Sequence, residues 1–229
     1  MKNRPKIIFF DAVGTLFGVR DSVGTVYRDI ALIYGVDAPA EVINTAFFQA
    51  FKTAPAMAFP GVAEEDLPER EFSWWRAIAA QTFQQVGVLD QFENFDGFFA
   101  NLYAHFATEK PWFIYPDVIP MLNHWRDRQV MLAVLSNFDS RLHSVLPQLG
   151  LADYFASVTI STETGAAKPD SKIFQIALEK HQCPPEAAWH IGDSYQQDYQ
   201  GAKAAGIRGI WLRRDYGRIE DPNSAVESV

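Results

Sequence analysis

The sequence predicts an α/β fold built on a parallel sheet. Strand-like apolar runs fall at Ile7–Phe10, Val130–Leu135, Ser157–Ile160, Trp189–Ile191 and Gly209–Leu212. Between the later runs lie segments of helical length and period. Strand, helix, strand, helix in that order means parallel strands joined by right-handed crossovers. The exception is the stretch from Phe17 to about Trp112, which holds no convincing strand and reads as an all-helical insertion after the first strand.

The first run, Ile7-Ile8-Phe9-Phe10, is apolar throughout, as a strand covered on both faces must be. It ends abruptly in Asp11, and Gly14 and Thr15 then permit a tight turn. A carboxylate is thereby delivered to the carboxyl end of the sheet, where α/β proteins bind ligands. Val23–Tyr34 carries a helical pattern ended by Gly35. Pro39–Lys52 follows, with Val42, Ile43, Ala46, Phe47, Ala50 and Phe51 as a wide apolar stripe. Phe72–Val86, containing Trp74 and Trp75, and Phe92–Phe106 make two more helices; Pro55, Pro60-Gly61 and Pro68 punctuate the middle. The simplest arrangement is a lid over the carboxyl ends of the strands, hinged near Leu16–Arg20 and Glu109–Pro116. The chain then divides into a core of residues 1–16 and 113–229 and a cap of residues 17–112. In the second half Leu142, Val145, Leu146 and Leu149 recur at helical spacing, as do Ile173, Ile176, Ala177 and Lys180. The tail from Asp215 onward is polar, carries Pro222 and Asn223, and is expected to fray.

Composition narrows the classes. The 229 residues are 48% hydrophobic and 21% charged, which is globular rather than disordered. A net charge of −8 argues against nucleic acid or an anionic membrane as the partner. The single cysteine, Cys183, excludes an internal disulfide and fits a reducing compartment. The first strand begins within six residues, which leaves no room for a signal peptide, and no apolar segment approaches a membrane span. A cytoplasmic protein, monomer or homodimer, is expected.

Three further signatures belong beside Asp11. Val130–Leu135 ends in Ser136-Asn137, a hydroxyl and an amide at a strand's carboxyl end. Gly165-Ala166-Ala167-Lys168-Pro169-Asp170 places a lysine in a loop that opens a helix. His190-Ile191-Gly192-Asp193-Ser194, with Asp198 beyond, is another apolar strand ending in an acid. Each alone reads as turn chemistry; the argument rests on all four in one order at βα spacing. Lys168 balances the charge of Asp11 and an anionic substrate, while Thr15, Ser136 and nearby N–H groups bond the transferring group. Asp11 and Asp193 supply the hard oxygen donors that Mg²⁺ prefers.

Asp11-Ala12-Val13-Gly14-Thr15, Ser136-Asn137, Lys168-Pro169 and Gly192-Asp193 together resemble the motifs of the haloacid dehalogenase-like (HAD) superfamily. The resemblance implies a Rossmann-like core, a helical C1 cap inserted after the first strand, and Asp11 as a covalent nucleophile. It also implies a metal site in which the backbone carbonyl of Val13 joins Asp11 and Asp193. Asp198 is read as a further ligand, a supporting group behind the metal, or a cap on the helix that follows. In the family's phosphatases a second Asp, two residues after the nucleophile, acts as general acid and base. Here that place is Val13. General acid–base catalysis is worth about 10²–10⁴ in rate, so weak action on alkyl phosphates is expected, with aryl and acyl phosphates favoured because their leaving groups need no proton.

Along most of the chain the similarity is to the REG-2-like group of HAD hydrolases. It rests on Phe47–Lys52 with Phe59-Pro60, Ser73-Trp74-Trp75, Leu135–Asp139, Lys168–Asp170 with Ile173-Phe174, Gly192-Asp-Ser and Asp198–Gly201. It implies a hydrolase but no established substrate; the nucleophile, lysine and metal acids read above make a small phosphorylated metabolite the expected one. Three alternatives stay open at this point. The haloacid dehalogenases share Asp-Ala-x-Gly-Thr-Leu-Phe but need a cap arginine, absent between Arg28 and Arg70. The phosphonoacetaldehyde hydrolases use a cap lysine, for which Lys52 is the one candidate between Lys6 and Lys110; the solvated reading of Lys52 is the stronger. A HAD scaffold with impaired proton transfer also suits a binding or regulatory module. His190 reads as a strand histidine satisfied by its neighbours rather than a general base, and the other four histidines show no ligand spacing.

Overall fold

A computed structural model describes residues 4–214, so the expected fraying beyond Asp215 lies outside the described residues. In chain order, β1 (Ile7–Phe10) is followed by a short strand, β2 (Phe17–Val19), then helices α1 (Val23–Ile33), α2 (Ala40–Thr53), α3 (Leu67–Val86) and α4 (Phe95–His105). The chain returns through β3 (Trp112–Ile114) to α5 (Val118–Arg126), β4 (Met131–Ser136), α6 (Leu142–Gln148), β5 (Val158–Ile160) and α7 (Ser161–Thr164). It closes with α8 (Ser171–Lys180), β6 (Ala188–Gly192), α9 (Gly201–Ala204) and β7 (Arg208–Trp211).

The main sheet is parallel, in the order β5-β4-β1-β6-β7. Alternation along β1 explains why it is apolar throughout. Ile8 and Phe10 pack with Val118 and Leu122 of α5 and Leu142, Val145 and Leu146 of α6 on one face. Ile7 and Phe9 pack with Ile173, Phe174, Ala177 and Leu178 of α8 on the other. Both faces of the central strand are therefore covered. In register Phe10 lies beside Val134 and Ile191, so Asp11, Ser136 and Asp193 emerge at one edge of the sheet. This is the expected Rossmann-like architecture, a parallel five-stranded sheet flanked by helices.

Helices α1 to α4 enclose an apolar cluster of their own, in which Tyr27, Phe47, Phe83, Phe98 and Phe99 are buried. One expectation for this stretch is corrected. Phe17–Val19 is a strand, antiparallel to Trp112–Ile114, so the chain crosses into and out of the helices through a two-stranded ribbon. Three residues are too few to show alternation, and Gly18 in the middle reads as a turn. The glycine is there because a Cβ would fall 2.8 Å from the Tyr115 hydroxyl. Among the described residues no helix is long and apolar enough to cross a membrane.

Candidate active site

Asp11 sits at the end of the central strand with its side chain 12% exposed. Its Oδ1 accepts hydrogen bonds from the Ser136 hydroxyl at 2.8 Å and the Lys168 ammonium at 2.7 Å. Its Oδ2 accepts none from a described side chain, so one oxygen is anchored and the other is open. Ser136 thus spends its hydroxyl on Asp11, a positional role that its place at the end of β4 makes unavoidable. The Thr15 hydroxyl lies nearby in the turn, buried and without a partner among the described residues. A buried hydroxyl left unpaired is costly, and a ligand oxygen would satisfy it.

Lys168 is the hub. Its Nζ donates to Asp11, to Asp198 Oδ1 at 2.5 Å and to the Leu135 carbonyl at 3.0 Å, which uses all three N–H bonds. Burial opposes its charge, but the two carboxylates outweigh burial and hold the ammonium above its ordinary pKa. The same pairing works in reverse on Asp198: burial would raise it, yet Lys168 and His190 hold it well below the usual carboxylate range. His190 is fully buried; burial lowers its pKa and keeps the ring neutral. Its Nε2–H therefore donates to Asp198 Oδ1 at 2.8 Å, and Phe174 lies edge-on against the ring. The expectation of a satisfied strand histidine holds for Nε2, although Nδ1 has no partner among the described residues.

Asp198 does not cap a helix. Ser194 does that, its hydroxyl accepting from the Gln197 amide, and Asp198 stands inside a wide π-helical turn spanning Tyr195–Gln200. The wide turn swings its carboxylate back beneath β6, where Oδ2 accepts from the Ser194 amide at 2.9 Å. Gly192 makes room for it: a Cβ there would fall 2.1 Å from Asp198 Cγ. Both oxygens are thereby committed.

The donor set fits a hard divalent cation. Carboxylate oxygens of Asp11, Asp193 and Asp198 lie within 4.8 Å of one another, with Lys168 as the one buried lysine or arginine among the described residues. Gly14, at φ +86°, has no side chain precisely where Asp193 needs space, since a Cβ would lie 2.5 Å from Asp193 Oδ2. The Val13 carbonyl accepts no hydrogen bond from a described residue, while its side chain packs on the core cluster around Phe10. Open oxygens are thus found at Asp11 and Val13, whereas Asp198 is saturated by N–H donors.

Two further predicted residues, Asn137 and Lys52, differ in how they are held. The Asn137 amide is turned to the protein: its Oδ1 accepts from the Lys168 backbone at 2.7 Å and its Nδ2 donates to the Lys168 carbonyl at 2.9 Å and to Gln197 at 3.2 Å. Lys52 is exposed on α2 and makes no hydrogen bond or ion pair with a described residue. One contributor escaped sequence reasoning. Arg214 donates to the Thr15 carbonyl at 2.6 Å and pairs with Asp117, its guanidinium 3.8 Å above the Tyr115 ring. A lone arginine 199 residues from its partner carries no local signal.

A profile described as haloacid dehalogenase-like hydrolase matches residues 5–206. Haloacid dehalogenase-like hydrolase domain-containing protein 3 of Bos taurus is 36% identical over 90% of this chain and 80% of its own length. Rhythmically expressed gene 2 protein of Drosophila melanogaster is 30% identical over 99% and 93%. Among solved structures, a dehalogenase superposes with TM-score 0.68 at 18% identity, covering 95% of this chain and 88% of that one. A HAD phosphatase from Thermococcus onnurineus does so with TM-score 0.61 at 25% identity, over 93% and 88%.

Proposed function

The chain belongs to the haloacid dehalogenase-like hydrolase family, REG-2-like group, and is an enzyme of hydrolase type; from that premise we propose that it cleaves phosphate esters and anhydrides whose leaving groups depart without a proton. Residues 17–112 are read as its cap and residues 1–16 with 113–229 as its core. The observation that carries the reading is the asymmetry of Asp11. Oδ1 is fixed by Ser136 and Lys168, while Oδ2 accepts no hydrogen bond from a described side chain, so the carboxylate is held by one oxygen and open at the other.

In the first step an Asp11 oxygen forms a bond to phosphorus and the bond to the leaving oxygen breaks. That oxygen departs as phenolate or carboxylate. Val13 offers it no proton, and these leaving groups need none. In the second step water attacks phosphorus, Asp11 is released as a carboxylate, and the water proton ends on the phosphate product. Thr15 donates its unpaired hydroxyl to a phosphoryl oxygen. Lys168 offsets the charge of Asp11 throughout. Mg²⁺, held by Asp11, Asp193 and the Val13 carbonyl, would supply charge neutralisation of the phosphoryl oxygens. Asp198, saturated by Lys168, His190 and Ser194, serves as the counter-charge that positions Lys168.

The test compares aryl, acyl and alkyl phosphates with Mg²⁺ in wild type and Asp11→Asn. Aryl and acyl substrates should exceed alkyl ones by about 10²–10⁴ in kcat/KM, the usual worth of a general acid, and Asp11→Asn should abolish all turnover. Equal rates on alkyl and aryl esters would sink the argument from Val13. Nothing in the surroundings of Lys52 favours cleavage of a carbon–phosphorus bond through an imine.

A further inference from the structure

We propose that Glu71, carried by the helical insertion, is a positioning residue of the active site: it grips the loop that follows Ser136 and makes the docked insertion a condition for reaction. Glu71 is fully buried on α3. Its three hydrogen bonds all come from the other side of the boundary. The Ser140 amide donates to Oε1 at 3.0 Å, the Thr162 hydroxyl to Oε1 at 2.6 Å, and the Ser140 hydroxyl to Oε2. No lysine or arginine among the described residues pairs with it. A buried carboxylate without a cation is tolerable only while its donors stay in place. Displacing α3 would strip it of all three at once.

One helical turn on, and on the same face, the Trp75 indole N–H donates to Asp139 Oδ2 at 2.7 Å. Asp139 is held bidentate by Arg141, which also donates to the Tyr103 carbonyl of α4 at 3.2 Å and stacks 3.9 Å above the Tyr103 ring. The insertion therefore meets residues 139–141 through buried, directional bonds. Only Phe138 separates those residues from Ser136 and Asn137, whose side chains fix Asp11 and the Lys168 backbone. The contrast is the connection between α2 and α3. Residues 54–63 lie over Gly165, with Pro60 Cα 3.0 Å from where a Gly165 Cβ would be, and make no hydrogen bond to the core among the described residues. The α3 edge is thus the side of the insertion that is hydrogen-bonded to the core.

The kinetic half of the test rests on the hydrolase reading; the exchange half does not. Amide hydrogen exchange and aryl phosphate kinetics are measured on wild type, Glu71→Ala, Glu71→Gln and Thr162→Val. In Glu71→Ala exchange should quicken across residues 137–141, and kcat should fall by up to about 100-fold with KM little changed, as expected when reacting groups are misplaced. Glu71→Gln, which keeps an acceptor oxygen, should restore most of both. If Glu71→Ala does not fold, Thr162→Val takes its place with a smaller effect of the same pattern. Unchanged exchange in a folded variant overturns the proposal, as does quickened exchange with wild-type kcat. If wild type turns over no phosphate ester, the hydrolase reading fails separately. Exchange at residues 11–16 then decides: loosening there together with 137–141 supports positioning, and loosening of 137–141 alone or of neither rejects it.

Discussion

Lys168→Met tests the site most directly. Methionine keeps the reach and apolar stem of lysine and removes one charge and three donors. Asp11 is left with Ser136, and Asp198 with His190 and the Ser194 amide. Both ion pairs are buried, with side-chain exposures of 1%/12% and 1%/2%, so solvent screening is small. Breaking a buried pair by deleting one partner costs about 3–5 kcal/mol, a large share of the roughly 5–15 kcal/mol that holds a domain together. For a chain of this size each kcal/mol moves the unfolding midpoint by about 2–4 °C, so a fall of about 6–20 °C is expected by circular dichroism in metal-free buffer. The pH dependence has a definite sign. In wild type the depressed Asp198 contributes stability above its unfolded pKa and loses it only as pH falls through the lower folded value. In the variant Asp198 loses the Lys168 charge while burial still opposes its ionised form, so the penalty is greatest near neutrality and is relieved by protonation as pH falls. The gap between the proteins should narrow on acidification, and Mg²⁺ should stabilise the variant more than wild type. Equal midpoints, or a gap indifferent to pH, would refute the assignment of Lys168 as the charge at the centre of the site.

Gly192→Ala forces a methyl to within 2.1 Å of Asp198 Cγ. It should lower stability by about 1–3 kcal/mol in urea unfolding, the usual range for overpacking, with activity falling further because Asp198 is pushed off Lys168. Gly14→Ala meets both a φ of +86° and the Asp193 carboxylate; the rise in melting temperature on adding Mg²⁺ should disappear. At the surface, the hydrogen bond that the His143 ring donates to the Glu163 carboxylate raises His143 above its ordinary pKa. That pair stabilises below the unfolded histidine value and is lost as pH rises through the folded one. Glu163→Gln should therefore destabilise slightly acid samples by about 0–1 kcal/mol, as for exposed pairs, and leave alkaline ones unchanged. Equal differences at both pH values would reject the coupling.

The parts of the fold legible in the sequence are those with a strong local period or an unbroken apolar run. Ile7–Phe10 is found as read, and the other four main-sheet strands agree to within one or two residues. The four insertion helices are likewise found, although α3 begins at Leu67 rather than Phe72, its first turn led by Pro68. The β2–β3 ribbon was invisible because pairing across almost a hundred residues leaves no trace in three-residue strands. In the site, the acids at strand ends are marked by an abrupt change of polarity, and Lys168 by its place in a loop that opens a helix. What could not be read was how each side chain divides its bonds. Asn137 reads from its strand-end place as a substrate-binding amide, and the sequence gives no sign that its side chain also clamps the Lys168 backbone. For Asp198 the choice between a further ligand, a supporting group and a cap stays open in the sequence. In the structure it caps no helix, and both its oxygens accept from Lys168, His190 and Ser194 because a π-helical turn redirects it. Glu71 and Arg214 stand in ordinary amphipathic or basic surroundings, and their partners are set by tertiary packing alone.

The order of strands across the sheet has a consequence during synthesis. β1 leaves the ribosome first but lies between β4 and β6, so Phe10 stays uncovered until α5 and α6 have been made and Phe9 until α8, which ends at Lys180. The insertion helices contact one another over short sequence separations and can condense early. A half-made chain is thus a folded helical cluster tethered to one bare, adhesive strand. Its nucleophile has no lysine or metal partner until translation is nearly done, so truncated products would be inert as catalysts and prone to aggregate.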